Sequence, residues 1–520
     1  DLVVQVESPP SVASGLQRVG RAGHQVGAVS HGIVIPKYRG DLVQATVTVQ
    51  RMRESAIEAL HMPENPLDVL AQQVIAIVAM DDWQVESLYA LIRRCAPYRK
   101  LSESVWRAVL DMLSGRYPGE EFAELRPRLV WDRQTDVLTT RPGAQRLAVT
   151  SGGTIPDRGL FGVYLVGTSM RVGELDEEMV YESRVGDLFA LGASSWRIED
   201  ITADRVWVSP APGEVARMPF WRGDRPGRPM ELGAAVGRFI GSVDPATDRS
   251  RLLDVGLDEY AADNLLAYIT EQRHATGALP DDRTVVVERF RDELGDWRVV
   301  VHTPFGAQVH APWALALGAR LRGEHDVETQ VMYSDDGIVL RLPDTVDDIT
   351  PRAVADLIAF DPDEIETLVT AELGGSALFA GRFRECAARA LLLPRRNPGK
   401  RSPLWQQRQR SAHLLSVASR YPDFPIVLET MRECLRDVFD LAGLRALLTD
   451  MKSHAVTIVD VETSSPSPFA QSLLFDYVAQ YLYDGDTPLA ERRAAALTVD
   501  TGMLAELLGQ TELRDLLDPD

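Results

Sequence analysis

The first six residues of the chain, DLVVQV, are an apolar run rich in β-branched side chains. Such a run is typical of a strand that is buried on both faces of a parallel sheet. Because a parallel-sheet strand rarely begins a protein without a helix before it, we expect the protein to continue on the N-terminal side of this segment. The residues ESPP end the strand, Ser11 is placed to cap a helix through VASGLQRVGRAGH, and Gly27 ends that segment before a second strand, AVSHGIVIP. The sequence therefore predicts strand, helix and strand.

Hydrogen-bond donors are concentrated on this predicted helix. Gln17 and Arg21 are four residues apart, which places them on one face, and Arg18 lies three residues before Arg21 on the adjoining edge. Gly20 and Gly23 remove side-chain bulk beside them. A guanidinium that forks onto phosphate oxygens is what nucleotide hydrolases use to stabilise charge on a transferred phosphoryl group. The spacing is also compatible with an ordinary basic helix that packs through its glycines.

The same segment carries a family resemblance. QRVGRAGH resembles motif VI of superfamily 2 helicases, and VESPPSVASGLQRVGRAGHQVGAVSHGIVIP resembles the closing part of the second RecA-like motor domain in the Lhr (large helicase-related) family. The resemblance implies that Gln17 and Arg21 face the γ-phosphate of ATP held by the first motor domain. Arg21 would then be the arginine finger, with Arg18 in support. The complete enzyme would use ATP and Mg²⁺.

Other parts of such a motor are absent from the sequence. Neither a GxxxxGKS or GxxxxGKT phosphate-binding loop nor a DEAD or DExH box occurs in the 520 residues. The chain alone is therefore expected to bind neither ATP nor Mg²⁺ and to be inactive as an ATPase. The resemblance implies a missing N-terminal RecA-like motor domain as its partner.

Residues 61–150 have the pattern of a winged-helix domain. The segments LDVLAQQVIAIVAM, QVESLYALIRRCAPY and SESVWRAVLDMLSGRY carry apolar residues at helical spacing, and RPRLVWD and DVLTTRPGAQRLAVTSGG follow as a predicted hairpin. The basic residues of RRCAPYRK could read duplex DNA or belong to a solvated loop. The family resemblance favours a domain that supports the motor.

Residues 151–298 begin with short strands that suggest a small β-barrel, followed by helices. Two unusual loops, GGTIPDRG and RMPFWRGDRPGRP, interrupt this pattern. The second places Trp221 among arginines, which is typical of single-strand binding by base stacking, although Trp221 could instead plug the barrel. Both loops resemble signatures of the Lhr core. The resemblance implies that Trp221 stacks on a base beside Arg222 and Arg228, with Ile155 as an apolar wedge.

Residues 299–520 are predicted to form a mixed α/β region. VVVHTPFGAQVHAPWALALGARL and LFAGRFRECAARALLLPRRNPGKRSPLWQQRQRSAHLLSVASRYPDFPIVLE resemble the DEAD/H-associated region of the same helicases. The second segment is strongly basic, with Glu385 as its only acid before Pro422. On a chain of net charge -21, such a patch suggests a confined channel for a nucleic-acid backbone, or else a solvated helix face. The predicted contacts are Arg395, Arg396, Lys400 and Arg401.

Several classes of site are not indicated. The three cysteines lie far apart, and His302 and His310 have no carboxylate or cysteine at ligand spacing, so no metal site is predicted. No apolar run is long enough to span a membrane, and the first residues, DLVVQVESPP, lack the basic start and the small-residue cleavage site of a secretory signal. We therefore expect a cytoplasmic protein.

The predicted architecture is multidomain, α/β and α+β. It consists of a motor-domain end (1–60), a winged helix (61–150), a β-barrel module with helices (151–298) and the mixed region (299–520). The resemblance implies part of an ATP-dependent helicase that moves 3′ to 5′ on single-stranded DNA and unwinds DNA or RNA:DNA duplexes in DNA repair. The alternative is a stand-alone nucleic-acid-binding protein without ATPase activity.

Overall fold

A computed structural model of the chain describes most of its length. The described residues are 2–23, 29–117, 127–155, 160–168, 170–176, 179–180, 183–191, 194–202, 205–211, 227–292, 295–325, 330–342, 351–393, 396–397, 400–401, 404–421 and 423–474. No helix within these ranges is both long and apolar enough to cross a membrane.

Helices occur along the whole described part of the chain. They are α1 (Val12–Val19), α2 (Arg39–Arg53), α3 (Leu67–Val78), α4 (Val85–Ile92), α5 (Glu103–Ser114), α6 (Ala144–Thr150), α7 (Met230–Ser242), α8 (Arg249–Val255), α9 (Glu259–Thr276), α10 (Ala307–His325), α11 (Pro351–Ile358), α12 (Ile365–Leu373), α13 (Ala377–Arg389), α14 (Leu404–Ala418), α15 (Pro425–Glu433) and α16 (Leu441–Lys452).

The strands are shorter and fall into separate sheets. They are β1 (Leu2–Val6), β2 (His31–Ile35), β3 (Trp83–Gln84), β4 (Leu129–Asp132), β5 (Val137–Thr140), β6 (Leu160–Leu165), β7 (Arg171–Asp176), β8 (Leu188–Leu191), β9 (Ser194–Ile201), β10 (Arg205–Pro210), β11 (Thr284–Arg291), β12 (Trp297–His302), β13 (Gln330–Ser334), β14 (Gly337–Leu342), β15 (Arg396–Asn397), β16 (Lys400–Arg401) and β17 (Thr457–Glu462).

The chain forms two compact units, and neither is a continuous segment. Unit 1 comprises residues 1–60, 224–373 and 435–520, and unit 2 comprises residues 61–223 and 374–434. This division differs from the predicted domain ranges. The predicted boundary at residue 298 falls inside β12, which pairs with β11. The predicted 299–520 region is shared between the two units.

Unit 1 begins with the predicted strand, helix and strand. β1 and β2 pair in parallel from Leu2 opposite His31, with α1 between them. Ser11 caps α1 as predicted, since its side chain accepts a hydrogen bond from the Ser14 N–H. The α-helix is shorter than expected, because the chain tightens into a 3₁₀ turn at Gly20–Ala22. The predicted stop at Gly27 lies outside the described residues.

The expected burial of the first strand is not observed. Leu2, Val4 and Val6 are each more than half exposed, and Ile33 and Ile35 of β2 are also exposed. The reason is that the sheet has only two strands among the described residues, so nothing in that part of the chain covers this face. We call these five side chains the open sheet face.

The rest of unit 1 contains a helical core and a larger sheet. Residues of α1, α2, α7 and α9 share one apolar cluster. The sheet has the strand order β13-β14-β12-β11-β17, in which β11 and β17 are parallel and the other pairs antiparallel. All six residues of β12 are buried, as expected for a central strand that is covered on both faces.

Unit 2 contains the predicted winged helix. The helices α3, α4 and α5 accompany a three-stranded sheet of order β3-β5-β4, with β4 and β5 as the hairpin. The last part of the predicted hairpin is instead helix α6, which begins after Gly143 in the left-handed conformation at φ 89°. The predictions of a winged helix and of its hairpin are confirmed, but the second strand ends at Thr140, earlier than the predicted segment.

The winged-helix core includes residues from much later in the chain. Phe383 and Leu391 from the α13 region and Phe424 and Ile426 near α15 belong to the same buried apolar cluster as Leu70 of α3. The sequence pattern did not predict this arrangement. It means that the 374–434 segment completes the hydrophobic core of the winged helix.

The strand-rich part of unit 2 forms a five-stranded sheet of order β7-β6-β10-β9-β8. Only the β6–β10 pair is parallel. A small cluster that includes Val163, Phe189 and Val206 forms its core. Closure of this sheet into a barrel remains a prediction.

Candidate functional sites

The segment formed by α1 and the 3₁₀ turn after it is called the motif helix. Its three predicted donors, Gln17, Arg18 and Arg21, are solvent-exposed. Arg18 Nη1 donates a hydrogen bond to Gln5 Oε1 at 3.0 Å, which ties it to β1. The side chains of Gln17 and Arg21 are exposed to solvent. Because the α-helix becomes a 3₁₀ turn at Gly20, the predicted four-residue helical spacing between them holds only in part. Their polar groups are nevertheless available to a ligand.

The backbone around this helix is firmly fixed. The Glu58 carboxylate accepts hydrogen bonds from Val12 N at 2.6 Å and Ala13 N at 3.2 Å, so a negative charge lies at the positive end of α1. The buried Asp41 carboxylate accepts from Ser8 N at 3.0 Å just before the helix. These contacts position the strand-to-helix turn that precedes Arg21.

Gly20 makes no close packing contact with the described residues. A Cβ atom on Gly20 would meet nothing within 4 Å. The close approach instead occurs at Gly15, where a Cβ would lie 2.7 Å from Met52 Sδ. The space beside Arg21 is therefore open on the Gly20 side.

Arg228, one of the predicted nucleic-acid contacts, is buried within unit 1. Its side chain is 1% exposed, and Nη1 donates to Gln44 Oε1 at 3.0 Å. Nη2 donates to the Asp335 carbonyl and pairs with the Asp336 carboxylate. Burial opposes the charge, but Asp336 and Asp335 raise the pKa of Arg228 above its usual value. The guanidinium thus anchors the chain inside unit 1 rather than facing a nucleic-acid backbone.

The other predicted nucleic-acid contacts lie in unit 2. Ile155 follows α6 and is 89% exposed. Trp221, Arg222 and Arg395 lie outside the described residues. The role of each remains a prediction.

A short antiparallel hairpin brings together three of the predicted basic contacts. Arg396 of β15 pairs with Arg401 of β16, and Asn397 pairs with Lys400. The backbone register therefore places three basic residues within one pair of two-residue strands.

Two further arginines of the basic patch are structural. Arg389 Nε donates to Asp68 Oδ2 at 2.5 Å, and its Nη2 pairs with the Glu433 carboxylate. Arg382 Nη1 donates to Glu385 Oε2 at 3.0 Å and to Glu433 Oε1 at 3.4 Å. Two of their acidic partners, Asp68 and Glu433, come from outside the basic segment, so the sequence of this segment overstated its positive charge.

The same cluster could be mistaken for a metal site. Among the described residues, the ligand atoms of Asp68, Cys386 and Glu433 lie within 4.8 Å of one another. However, Arg389 also donates to Cys386 Sγ at 3.3 Å, so its guanidinium contacts all three groups. Burial raises the pKa of the Cys386 thiol well above its usual value, which disfavours the thiolate that a metal requires. The geometry is that of a buried ion-pair cluster.

A neighbouring acid joins this cluster to the start of the winged helix. Glu429 Oε2 accepts a hydrogen bond from Leu67 N at 2.7 Å, at the first turn of α3. Arg432 donates to Glu429 Oε1 at 2.7 Å. Burial raises the pKa of Glu429 to about 7, although Arg432 acts in the opposite direction. Neither contact could be found from local sequence spacing.

Charged side chains of α5 form ion pairs. On α5, Arg107 Nε donates to Glu103 Oε1 at 2.9 Å, and Asp111 pairs with Arg116 and Arg133. A supporting role for the winged helix remains a prediction.

The two histidines considered for metal binding have separate partners in unit 1. His302 Nε2 lies 2.8 Å from Glu288 Oε2, and both side chains are buried. His310 Nδ1 lies 2.7 Å from the Ser334 carbonyl, and burial lowers the pKa of His310 to about 4. Each ring is thus fixed by its own hydrogen bond.

Comparison with known proteins covers both units. The large helicase-related protein winged-helix domain family matches residues 50–218, and the DEAD/H-associated family matches residues 279–470. The "Lhr helicase/ probable uracil glycosylase" of Mycolicibacterium smegmatis is 62% identical over the whole chain, which covers 35% of that protein. The "Lhr helicase/uracil glycosylase" of Escherichia coli is 53% identical over the whole chain, which covers 34% of it. The chain therefore spans about a third of these relatives.

One solved structure is also similar. It is that of Mycobacterium smegmatis helicase Lhr bound to ssDNA and AMP-PNP. The TM-score is 0.73 at 56% sequence identity, and the match covers 91% of this chain and 56% of that one.

Proposed function

Because the chain belongs to the Lhr (large helicase-related) family of helicases, we propose that it forms the C-terminal part of an ATP-dependent helicase core. This helicase translocates 3′ to 5′ on single-stranded DNA and unwinds DNA or RNA:DNA duplexes in DNA repair. The observation that carries the proposal is the exposed Arg21, which follows a capped helix between two parallel strands and is free to meet a ligand.

The first functional part of the chain is the motif helix, which contacts ATP. Arg21 acts as the arginine finger on the γ-phosphate of ATP, Gln17 contacts the same phosphate, and Arg18 supports them from its hydrogen bond to Gln5. ATP and Mg²⁺ are held by the first RecA-like motor domain, where the metal neutralises phosphate charge. The open sheet face is where the remainder of the second motor domain packs, since a parallel sheet is normally covered on both faces.

The second functional part of the chain binds the nucleic acid. Trp221 stacks on a base, Arg222 contacts the backbone beside it, and the exposed Ile155 acts as an apolar wedge. Arg395, Arg396, Lys400 and Arg401 contact phosphates. A confined contact of this kind is compatible with the net charge of -21 because acidic residues elsewhere repel the backbone from the outer surface.

The function can be tested with a polypeptide that joins the chain to the first motor domain and to the remainder of the second motor domain. We expect this polypeptide to hydrolyse ATP when single-stranded DNA is added and to separate duplexes, and we expect the 520-residue chain alone to do neither. DNA-stimulated phosphate release by the chain alone, above a no-protein control, would contradict the proposal. Strand binding without hydrolysis by the joined polypeptide would support the stand-alone binding protein instead.

Trp221→Ala should weaken single-strand binding selectively. One lost stacking contact corresponds to about 1 to 3 kcal/mol of binding free energy, while the thermal midpoint should hardly change. Fluorescence anisotropy with a labelled oligonucleotide measures the affinity. The control is Trp106→Ala, which removes a buried ring from the winged-helix core and should lower the thermal midpoint instead. A large loss of stability in Trp221→Ala, with unchanged affinity of the folded protein, would make Trp221 a core residue.

Arg396→Ala and Arg401→Ala should each reduce the salt dependence of binding. If each arginine contacts one phosphate, the slope of log K against log salt should fall by about one unit per substitution. Titrations at several salt concentrations measure this slope. Arg107→Ala is the control, because Arg107 is paired with Glu103 on the winged helix. An unchanged slope in both hairpin variants would remove these residues from the phosphate contacts.

A further inference from the structure

One buried amide in unit 2 is bonded entirely to main-chain groups. Gln72 lies on α3 and is 2% exposed. Its Nε2 donates to the Gly153 carbonyl at 3.0 Å, and its Oε1 accepts from Gly153 N at 2.9 Å. The same Nε2 donates to the Arg389 carbonyl at 2.8 Å. The side chain therefore pairs with Gly153 as a neighbouring strand would and also holds the end of α13.

Residue 72 needs a side chain that both donates and accepts hydrogen bonds, as the amide of glutamine does. A buried apolar side chain at residue 72 would leave the Gly153 N–H and two carbonyls without these partners, which is costly away from water. Asp68 lies one helical turn earlier on α3 and holds the Arg389 side chain. One face of α3 thus binds both the backbone and the guanidinium of Arg389.

The segment held by Gln72 presents an exposed aliphatic side chain. Gly153 has φ 107°, a conformation that other residues rarely adopt, so the local path of the chain depends on it. Ile155 follows two residues later and is 89% exposed. A fixed backbone therefore carries a large apolar group into solvent.

The other segment held by Gln72 leads toward the basic hairpin. Arg128 donates from Nε to the Leu391 carbonyl at 2.9 Å and from Nη2 to the Leu392 carbonyl at 3.1 Å. The chain leaving α13 is thus fixed at three successive points before β15 begins at Arg396.

We propose that Gln72 is a positioning residue that sets the place of the Ile155 wedge relative to the basic hairpin of β15 and β16. It acts through the main chain at Gly153 and Arg389 and does not itself contact the nucleic acid. This inference rests on the proposed function, in which Ile155 inserts between bases. In this role, α3 of the winged helix affects unwinding through the buried side chain of Gln72 and not through a contact with the nucleic acid.

The first experiment measures the mobility of residue 155 and does not depend on helicase activity. A spin label is placed on Ile155→Cys in a Cys95→Ser background, because Cys95 is exposed while Cys386 and Cys434 are buried. We expect an ordered label in the otherwise unchanged chain and a mobile one after Gln72→Leu. The matched control is Gln272→Leu in unit 1, where a buried amide accepts from Phe469 N at 2.8 Å. That variant should leave the label ordered.

The second experiment measures function in the joined helicase polypeptide. Gln72→Leu should lower the rate of duplex unwinding about tenfold, the effect expected from losing a set of buried hydrogen bonds, while DNA-stimulated ATP hydrolysis is kept. Ile155→Ala should likewise lower the rate of unwinding while DNA-stimulated ATP hydrolysis is kept. The double variant should be no worse than Ile155→Ala alone, because both changes act through one side chain.

The two ideas fail in different ways. If Ile155→Ala leaves unwinding unchanged, the wedge role is wrong, whatever the label reports. If Ile155→Ala impairs unwinding but Gln72→Leu changes neither the label nor unwinding, the positioning role is wrong. Should Gln72→Leu fail to fold, Gly153→Ala tests the same contact, since a Cβ there meets nothing within 4 Å and only the backbone conformation is disturbed. An ordered label in Gly153→Ala would then overturn the inference.

Discussion

Replacing Arg21 with alanine in the joined helicase polypeptide is expected to lower DNA-stimulated ATP hydrolysis by about a thousandfold or more. An arginine finger stabilises charge that develops on the transferred phosphoryl group, so its loss affects the reaction rate. The affinity for single-stranded DNA should stay close to that of the unchanged protein. Phosphate release and oligonucleotide binding, measured on the same preparation, check both expectations.

Three comparisons make this result specific. Arg21→Lys keeps the charge but not the planar fork and should remain strongly impaired. Arg18→Ala should have a smaller effect, because Arg18 already donates to Gln5. Arg39→Ala removes another exposed arginine, which is paired with Glu271, and should leave hydrolysis unchanged. If Arg21→Ala reduces DNA binding as much as hydrolysis, the motif helix is structural and the finger role is wrong.

Arg389→Met should destabilise unit 2 by about 3 to 5 kcal/mol, because it removes the buried cation that Asp68 and Glu433 share. For a unit of this size the thermal midpoint should fall by roughly 6 to 20 °C. Thermal unfolding followed by tryptophan fluorescence measures the change.

The matched control for that substitution is Arg107→Met on α5. Arg107 and Glu103 form an exposed pair, whose loss should cost about 1 kcal/mol or less. Combining Arg389→Met with Asp68→Asn and Glu433→Gln should recover part of the lost stability, since the acids are then neutral. A midpoint in Arg389→Met that matches the Arg107→Met control would show that the buried cluster is unimportant for stability.

Local features of the fold could be predicted from the sequence. The Ser11 cap depends on residues within three positions of it, and the strand-helix-strand order follows from hydrophobic periodicity. The winged helix was predictable for the same reason. Burial of β1 was not, because it depends on whatever covers the sheet rather than on the strand itself.

Ion pairs between residues that are distant in sequence could not be predicted. Arg389 lies in the strongly basic segment, but its partner Asp68 lies 321 residues earlier. Arg228 was expected to contact nucleic acid beside Trp221, but its partner Asp336 lies 108 residues later. A count of nearby charges cannot detect partners that the fold supplies from elsewhere. The role of Gln72 could not be predicted from the sequence, because its partners are main-chain groups, which carry no sequence signature.

The shared core of unit 2 has a consequence for how the protein is made. The winged-helix cluster includes Phe424 and Ile426, so it cannot close until the ribosome has passed residue 426. At about 5 to 20 residues per second, synthesis from residue 150 to that point takes roughly 15 to 55 s. During this interval the apolar face of α3 lacks its later partners and must be kept from aggregating. A nascent chain that stops before α13 would therefore be a ready substrate for chaperones and proteases.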